Sequence, residues 1–245
     1  MSEPERAVTG VAGLDEMLHG GLIAGSATLL QGSPGTGKTT VGMQFLYEGA
    51  TQQDEPGLLV SFEQFPHTLY RDGLAHGWNL RELEQEGKMR VVFTSPKVFV
   101  SSLQSPMSPI SSAIRDMGVK LAVVDSMTHL QTLTRDAVEL RSHYNFLING
   151  LRREGITSLL LSEDSGPDFV RSDRGRLAFA VDSVILLRYV EIDSVMQRAV
   201  TVLKTRGSDH DMSIRRFEVA RGGVVVREVF EGREGLLSGM PRRTG

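Results

Sequence analysis

Four short runs in this chain are apolar without alternation: "ATLLQ" (27–31), "GLLVSF" (57–62), "LAVVD" (121–125) and "SLLLS" (158–162). A strand with one wet face alternates apolar and polar residues, whereas a strand that is apolar throughout must be covered on both faces. The intervals between these runs are long enough for helices. The chain is therefore expected to be α/β, a mostly parallel sheet flanked by helices, with "MRVVFT" (89–94) as a fifth strand.

Helical patterns fill the gaps. Residues 38 to about 48 place Val41, Phe45 and Leu46 on one face, and a second helix is expected over 66–76. "NLRELEQEG" reads as a short helix capped by Asn79, and 109–118 and 136–154 complete the set, each closed by a glycine near its end. "SSLQSPMSPISS" (101–112) is expected as a surface loop. After residue 180 strand-like segments follow one another with no helix between, as in antiparallel strands extending the sheet, with Gly222-Gly223 as a hairpin turn. No linker and no repeat divides the chain. One domain over 1–245 is expected, with 1–10 and 238–245 as flexible ends.

Between the first apolar run and the first helix stands "GSPGTGKT" (32–39), which fits G-x-x-x-x-G-K-[ST], the phosphate-binding loop. Gly32, Gly35 and Gly37 allow the backbone to curl so that several loop N–H groups converge on one anion, with Ser33, Pro34, Thr36 and Thr40 among the residues lining it. The helix beginning at Lys38 adds its positive end to the same place. Lys38 would reach the β- and γ-phosphates of ATP, and the Thr39 hydroxyl would ligate Mg2+. Asp125 closes an apolar strand, where a carboxylate holding magnesium is expected. Glu63 follows another such strand, where it could contact the metal or polarise a water. A solvated glutamate at a strand end is the plain alternative.

Composition excludes some classes. The 245 residues include no cysteine, so disulfides and thiol chemistry are out, and a reducing cytoplasm suits the chain. The formal net charge of −3 argues mildly against duplex binding. The N-terminal ten residues have no apolar core of the signal-peptide kind, and "VILLRYV" is broken by Arg188 and strand-sized, so a soluble protein is expected. His19, His67, His129 and His143 show no metal-ligand spacing, and Trp78 is expected to pack.

In this order, "VTGVAGLDEMLHGGL", "GSPGTGKT", "SFEQ", "VVDS", "VILLRYVEI" and "KTRGSDHD" resemble the KaiC family of RecA-like ATPases over about residues 7 to 240. The likeness is greatest to the second, kinase-type half of the two-domain clock protein. It implies a RecA-like core forming a homo-oligomeric ring, usually of six copies, with ATP at the subunit interfaces. It further implies that Lys204, Thr205, Arg206, Ser208 and His210 approach a neighbour's nucleotide, with Lys204 and Arg206 at its γ-phosphate. The family's catalytic glutamate pair is here Glu63-Gln64, and an amide cannot accept a proton from water. Its Ser-Thr self-phosphorylation pair falls on Ala178-Phe179, which have no hydroxyl; Ser172 and Ser183 are the nearby hydroxyls. His76 falls near the family's base-stacking position, and "GMPRRTG" resembles its mobile tail.

Three functions follow as expectations. The first is a ring ATPase read by partner proteins in signalling or timing. The second is a RadA- or RecA-like DNA-handling ATPase, disfavoured by the mixed charge of "EDSGPDFVRSDRGR". The third is a nucleotide-gated scaffold with little hydrolysis.

Overall fold

The computed structural model describes residues 4–163, 175–238 and 242–243. The five apolar runs form β1 (Ala27–Gly32), β2 (Gly57–Ser61), β3 (Met89–Phe93), β4 (Leu121–Asp125) and β5 (Thr157–Glu163). The C-terminal strands are β6 (Ser183–Ile192), β7 (Val195–Thr205), β8 (Arg215–Ala220) and β9 (Gly223–Val229). All nine lie in one sheet, in the order β9-β8-β7-β6-β1-β5-β4-β2-β3. The pairings from β6 to β3 are parallel, and those among β6, β7, β8 and β9 are antiparallel. This is the fold class expected from the sequence.

The period-2 geometry of strands explains why the runs do not alternate. Leu30, Leu59, Val123 and Leu161 enter the core on one face. Their neighbours Leu29, Val60, Val124 and Leu160 enter the core on the other. The first core is covered by α1 (Lys38–Gln52), α2 (Pro66–Ala75) and α3 (Leu80–Gln85), which contribute Phe45, Leu69 and Leu83. The second is covered by α4 (Pro96–Gln104), α5 (Pro109–Met117) and α6 (Ala137–Arg153), which contribute Phe99, Ile114 and Leu147. A short α7 (Gly175–Ala180) precedes β6.

Helix starts follow capping chemistry. Asn79 and Asp136 accept from backbone amides of α3 and α6. The expected loop 101–112 is narrower: α4 runs to Gln104, and α5 starts at Pro109, where the expected helix 109–118 begins, with Ser108 accepting from the Ser111 amide. Serine before proline is a cap followed by a first-turn residue here, because proline lacks an N–H that the first turn leaves unpaired anyway. The β8–β9 hairpin turns one residue earlier than expected, at Arg221-Gly222, since Gly223 already pairs with Ala220.

Both ends expected to be flexible carry pairing. Arg6–Ala7 form a ladder with Leu22–Ile23, and the Arg6 guanidinium donates to Leu18 O (2.8 Å) and Gly21 O (3.0 Å). Arg242–Arg243 pair with Arg233–Glu234. Backbone pairing, absent from any residue-type signal, ties Arg6–Ala7 and Arg242–Arg243 to their partners. No helix of the described residues is long and apolar enough to cross a membrane.

Candidate functional site

The carboxyl ends of β1, β5, β4 and β2 stand side by side. Register pairs Gly32 with Glu163, Leu161 with Asp125, and Asp125 with Ser61. Crevices at such ends are where open α/β sheets bind ligands.

Between Gly32 and Lys38 the chain makes its turn in left-handed conformations at Gly35 (φ 79°) and Gly37 (φ 104°). A side chain at Gly32 would stand 2.8 Å from Leu187 O and from Thr36 Oγ1. Buried Thr36 donates to Ser33 O (2.8 Å), and Tyr189 on β6 donates from its phenol to Gly35 O (2.6 Å). Pro34 and Gly35 are exposed at the rim, and Thr40 is half-buried in the first turn of α1. Amides in that turn lack partners within the helix, which leaves them for an anion.

Lys38 is only 8% exposed, and its ammonium donates to Gly32 O (2.9 Å) and Ser33 O (3.1 Å). Burial pulls its pKa down, while the carboxylates of Glu163, Asp125 and Glu63 pull it back up. Opposite it, Thr39 donates to Asp125 Oδ2 at 2.7 Å. Burial pushes the Asp125 carboxyl above its usual range, against the Thr39 bond and the Lys38 charge. The Asp125–Ser126 peptide is cis. Among the described residues no group of three or more His, Asp or Glu is placed to hold a metal alone.

Glu63 follows β2, where its amide and that of Gln64 lie 3.4 and 2.9 Å from the buried Ser61 hydroxyl. The Glu63 carboxylate is largely exposed and lies 3.9 Å from His129 Nε2. The Gln64 side-chain amide oxygen, Oε1, is buried and has no hydrogen-bond partner among the described residues.

The second set of expected residues lies elsewhere. Lys204 and Thr205 end β7 and pair with Val184 and Ser183, at the start of β6. Ser183 pairs with Thr28 and Val184 with Leu29, at the start of β1, whereas the loop leaves from its end. Three to four residues along a strand separate the sets, roughly 10–13 Å. Lys204 Nζ donates to Ala178 O (2.7 Å) and Val181 O (2.8 Å), and Arg206 to Phe179 O (2.8 Å). Burial and neighbouring Arg206 lower the Lys204 pKa, and Asp182 opposes them. Ser208 accepts from Arg6 (2.6 Å), and both ring nitrogens of His210 and the Thr205 hydroxyl are buried without partners among the described residues.

The sequence model of the family described as "ATPase: KaiC" matches residues 7–230. The chain belongs to the KaiC family. A UPF0273 protein of Methanocaldococcus jannaschii is 33% identical, over 91% of this chain and 96% of that one. One from Thermotoga maritima is 32% identical, over 94% and 99%. The circadian clock oscillator protein KaiC of Prochlorococcus marinus is 32% identical over 91% of this chain, but the match spans only 46% of that protein. A KaiC-like protein from Pyrococcus horikoshii superposes with a TM-score of 0.82 at 30% identity, covering 92% of this chain and all of that one. The chain thus holds one copy of the family's KaiC-like ATPase domain.

Within this KaiC-like frame the structure gathers Lys38, Thr39, Asp125 and Glu63 around one loop and leaves Lys204, Arg206, Ser208 and His210 apart. Sequence reasoning missed Glu163 and gave His129 no role at the site. Glu163 follows "SLLLS" just as Glu63 follows "LLVSF", so the same strand-end signal was present. Trp78 packs, stacked on Tyr47 at 5.8 Å between ring centroids, with His76 beside it at 4.9 Å. Ser172 and most of "RSDRGR" lie outside the described residues.

Proposed function

We propose that this KaiC-family chain is a single-domain, MgATP-dependent ring ATPase whose nucleotide sites are completed by a neighbouring copy. Backbone N–H groups between Gly32 and Thr40, of which Pro34 has none, and the Lys38 ammonium hold the triphosphate. Thr39 and Asp125 hold Mg2+, with Glu63 nearby. The residues fit that metal: a hydroxyl and a carboxylate are hard oxygen donors, and two protein donors leave room for the phosphate oxygens and waters Mg2+ keeps. An Asp125 carboxylate disfavoured by its own burial is also what a cation would relieve. Bound Mg2+ draws charge off the phosphate oxygens.

Glu63 takes a proton from the attacking water. The water oxygen bonds to the γ-phosphorus, the bond from that phosphorus to the bridging oxygen breaks, and its electron pair leaves with ADP. Lys204 and Arg206 of the adjoining copy stabilise the charge that develops. Ala178 and Phe179 have no hydroxyl to accept a phosphoryl group, so we assign hydrolysis without self-phosphorylation at that pair.

The observation that carries this reading is the separation of Lys204 and Arg206 from the loop within one copy. A head-to-tail contact would bring that end of one copy to the loop of the next, and it closes into a ring when the rotation allows. Six copies are what the family likeness implies. Contacts that change on hydrolysis then span an interface, so ring geometry reports nucleotide state to cytoplasmic signalling or timing partners.

The test is phosphate release together with mass in solution, with and without MgATP, for wild type, Lys38→Ala and Glu63→Gln. We expect assembly with ATP, loss of binding in Lys38→Ala, and assembly with at least ~100-fold slower turnover in Glu63→Gln. Wild type no faster than Glu63→Gln, with assembly intact, would make the protein a nucleotide-gated scaffold instead.

A further inference from the structure

We propose that His129 is a positioning residue that holds Glu63 in register for the attacking water; this rests on the ATPase reading above. His129 sits on the 3-10 turn Met127–Thr132, which begins two residues after Asp125. Its amide donates to Ser126 O (3.1 Å), closing the turn, and its ring edge meets the buried ring of Phe62 at 6.4 Å between centroids. Ser126 Oγ lies 3.2 Å from Nδ1, and Nε2 faces Glu63 Oε2 at 3.9 Å.

The chemistry of the three groups sets the direction of the chain. A carboxylate only accepts hydrogen bonds, so for this contact to tighten into one the imidazole nitrogen facing Glu63 must carry the hydrogen. In a neutral ring Nδ1 is then the acceptor and the Ser126 hydroxyl the donor. Ser126, anchored on the backbone that also fixes Asp125, thereby sets the orientation of the ring and through it of Glu63.

Glu63 needs such a partner. Its side chain is 67% exposed, and an unheld glutamate loses rotamer freedom each time it adopts one geometry. His129 contacts one carboxylate oxygen and leaves the other for water. At 3.9 Å the pair is longer than a hydrogen bond, and catalytic contacts of this kind shorten once substrate is bound.

Steady-state ATPase assays on the full chain decide the matter, comparing wild type with His129→Ala, His129→Gln, Glu63→Gln and the double variant Glu63→Gln/His129→Ala. We expect His129→Ala to lower kcat roughly tenfold with KM changed less than about twofold. His129→Gln, which keeps a donor, recovers part of the loss, and His129→Ala costs nothing further in the Glu63→Gln background. Titration with a fluorescent ATP analogue confirms that each variant still binds nucleotide. Wild-type kcat in His129→Ala, a loss confined to KM, or a full multiplicative loss on top of Glu63→Gln would each overturn the proposal. If Glu63→Gln turns over like wild type, the role of Glu63 falls and this inference with it. If Glu63→Gln is inactive while His129→Ala is unimpaired, only the inference falls.

Discussion

Asp125 is under two opposed demands. It is buried at the end of a strand, which favours the neutral acid, yet Thr39 donates to it and Lys38 faces it, which favours the anion. Burial dominates, so the native carboxyl sits above its ordinary 3.8. Between that value and the native one, the folded state holds more protons than the unfolded state. Stability therefore falls as pH rises through this window and levels off above it. Asp125→Asn keeps an acceptor for Thr39 without the charge. The nucleotide-free variant is expected to be more stable than wild type at pH 7, the gap closing as pH falls below the carboxylate range. Adding MgATP should then raise the melting temperature of wild type far more than that of the variant. Thermal melts across pH, with and without MgATP, check both halves.

At the scale of elements, α1 shows tertiary packing overriding local propensity. Gly42 lies inside a fifteen-residue helix, where alanine would ordinarily gain about 1 kcal/mol. A Cβ there would stand 2.9 Å from Val123 Cγ1 on β4, and the β-branched valine has little room to turn away. Gly42→Ala is expected to lower stability by about 1–3 kcal/mol despite its better helix propensity, measurable as a drop in denaturation midpoint. A rise in that midpoint would show that the sheet yields. The same helix was legible from sequence, because "GSPGTGKT" names its start and Val41, Phe45 and Leu46 mark its buried face. Its end at Gln52 was not, and nor was the helical nature of 101–104, whereas the helix expected over 109–118 is there as Pro109–Met117. Serine and proline serve loops and helix starts alike, and only the chain that follows distinguishes the two.

For the whole molecule, the decisive feature is that the cations of 204–206 and the loop at 32–39 occupy opposite ends of the sheet. The proposed ring makes a prediction that single chains cannot satisfy. Glu63→Gln spoils the loop half of a site and Arg206→Ala the finger half, so each alone should be nearly inactive. Mixed in equal amounts and allowed to exchange, they form some interfaces with both halves intact, and activity should return to about a quarter of the wild-type rate. A mixture no more active than its components would place the finger in the same copy as the loop, or nowhere.

Sequence alone determined the covered parallel sheet, the phosphate-type loop and the strand-end carboxylates Asp125 and Glu63. These are local: two-sided burial forbids alternation, a tight anion-binding turn demands glycine, and a strand delivers its next residue to the crevice. Only the tertiary structure decided that Glu163 faces Lys38, that His129 stands between Ser126 and Glu63, that Tyr189 holds Gly35, and that Lys204 and Arg206 lie far from the loop. Those relations depend on strand order and register, which are set by two cores filled from segments more than a hundred residues apart. No single stretch of chain encodes them.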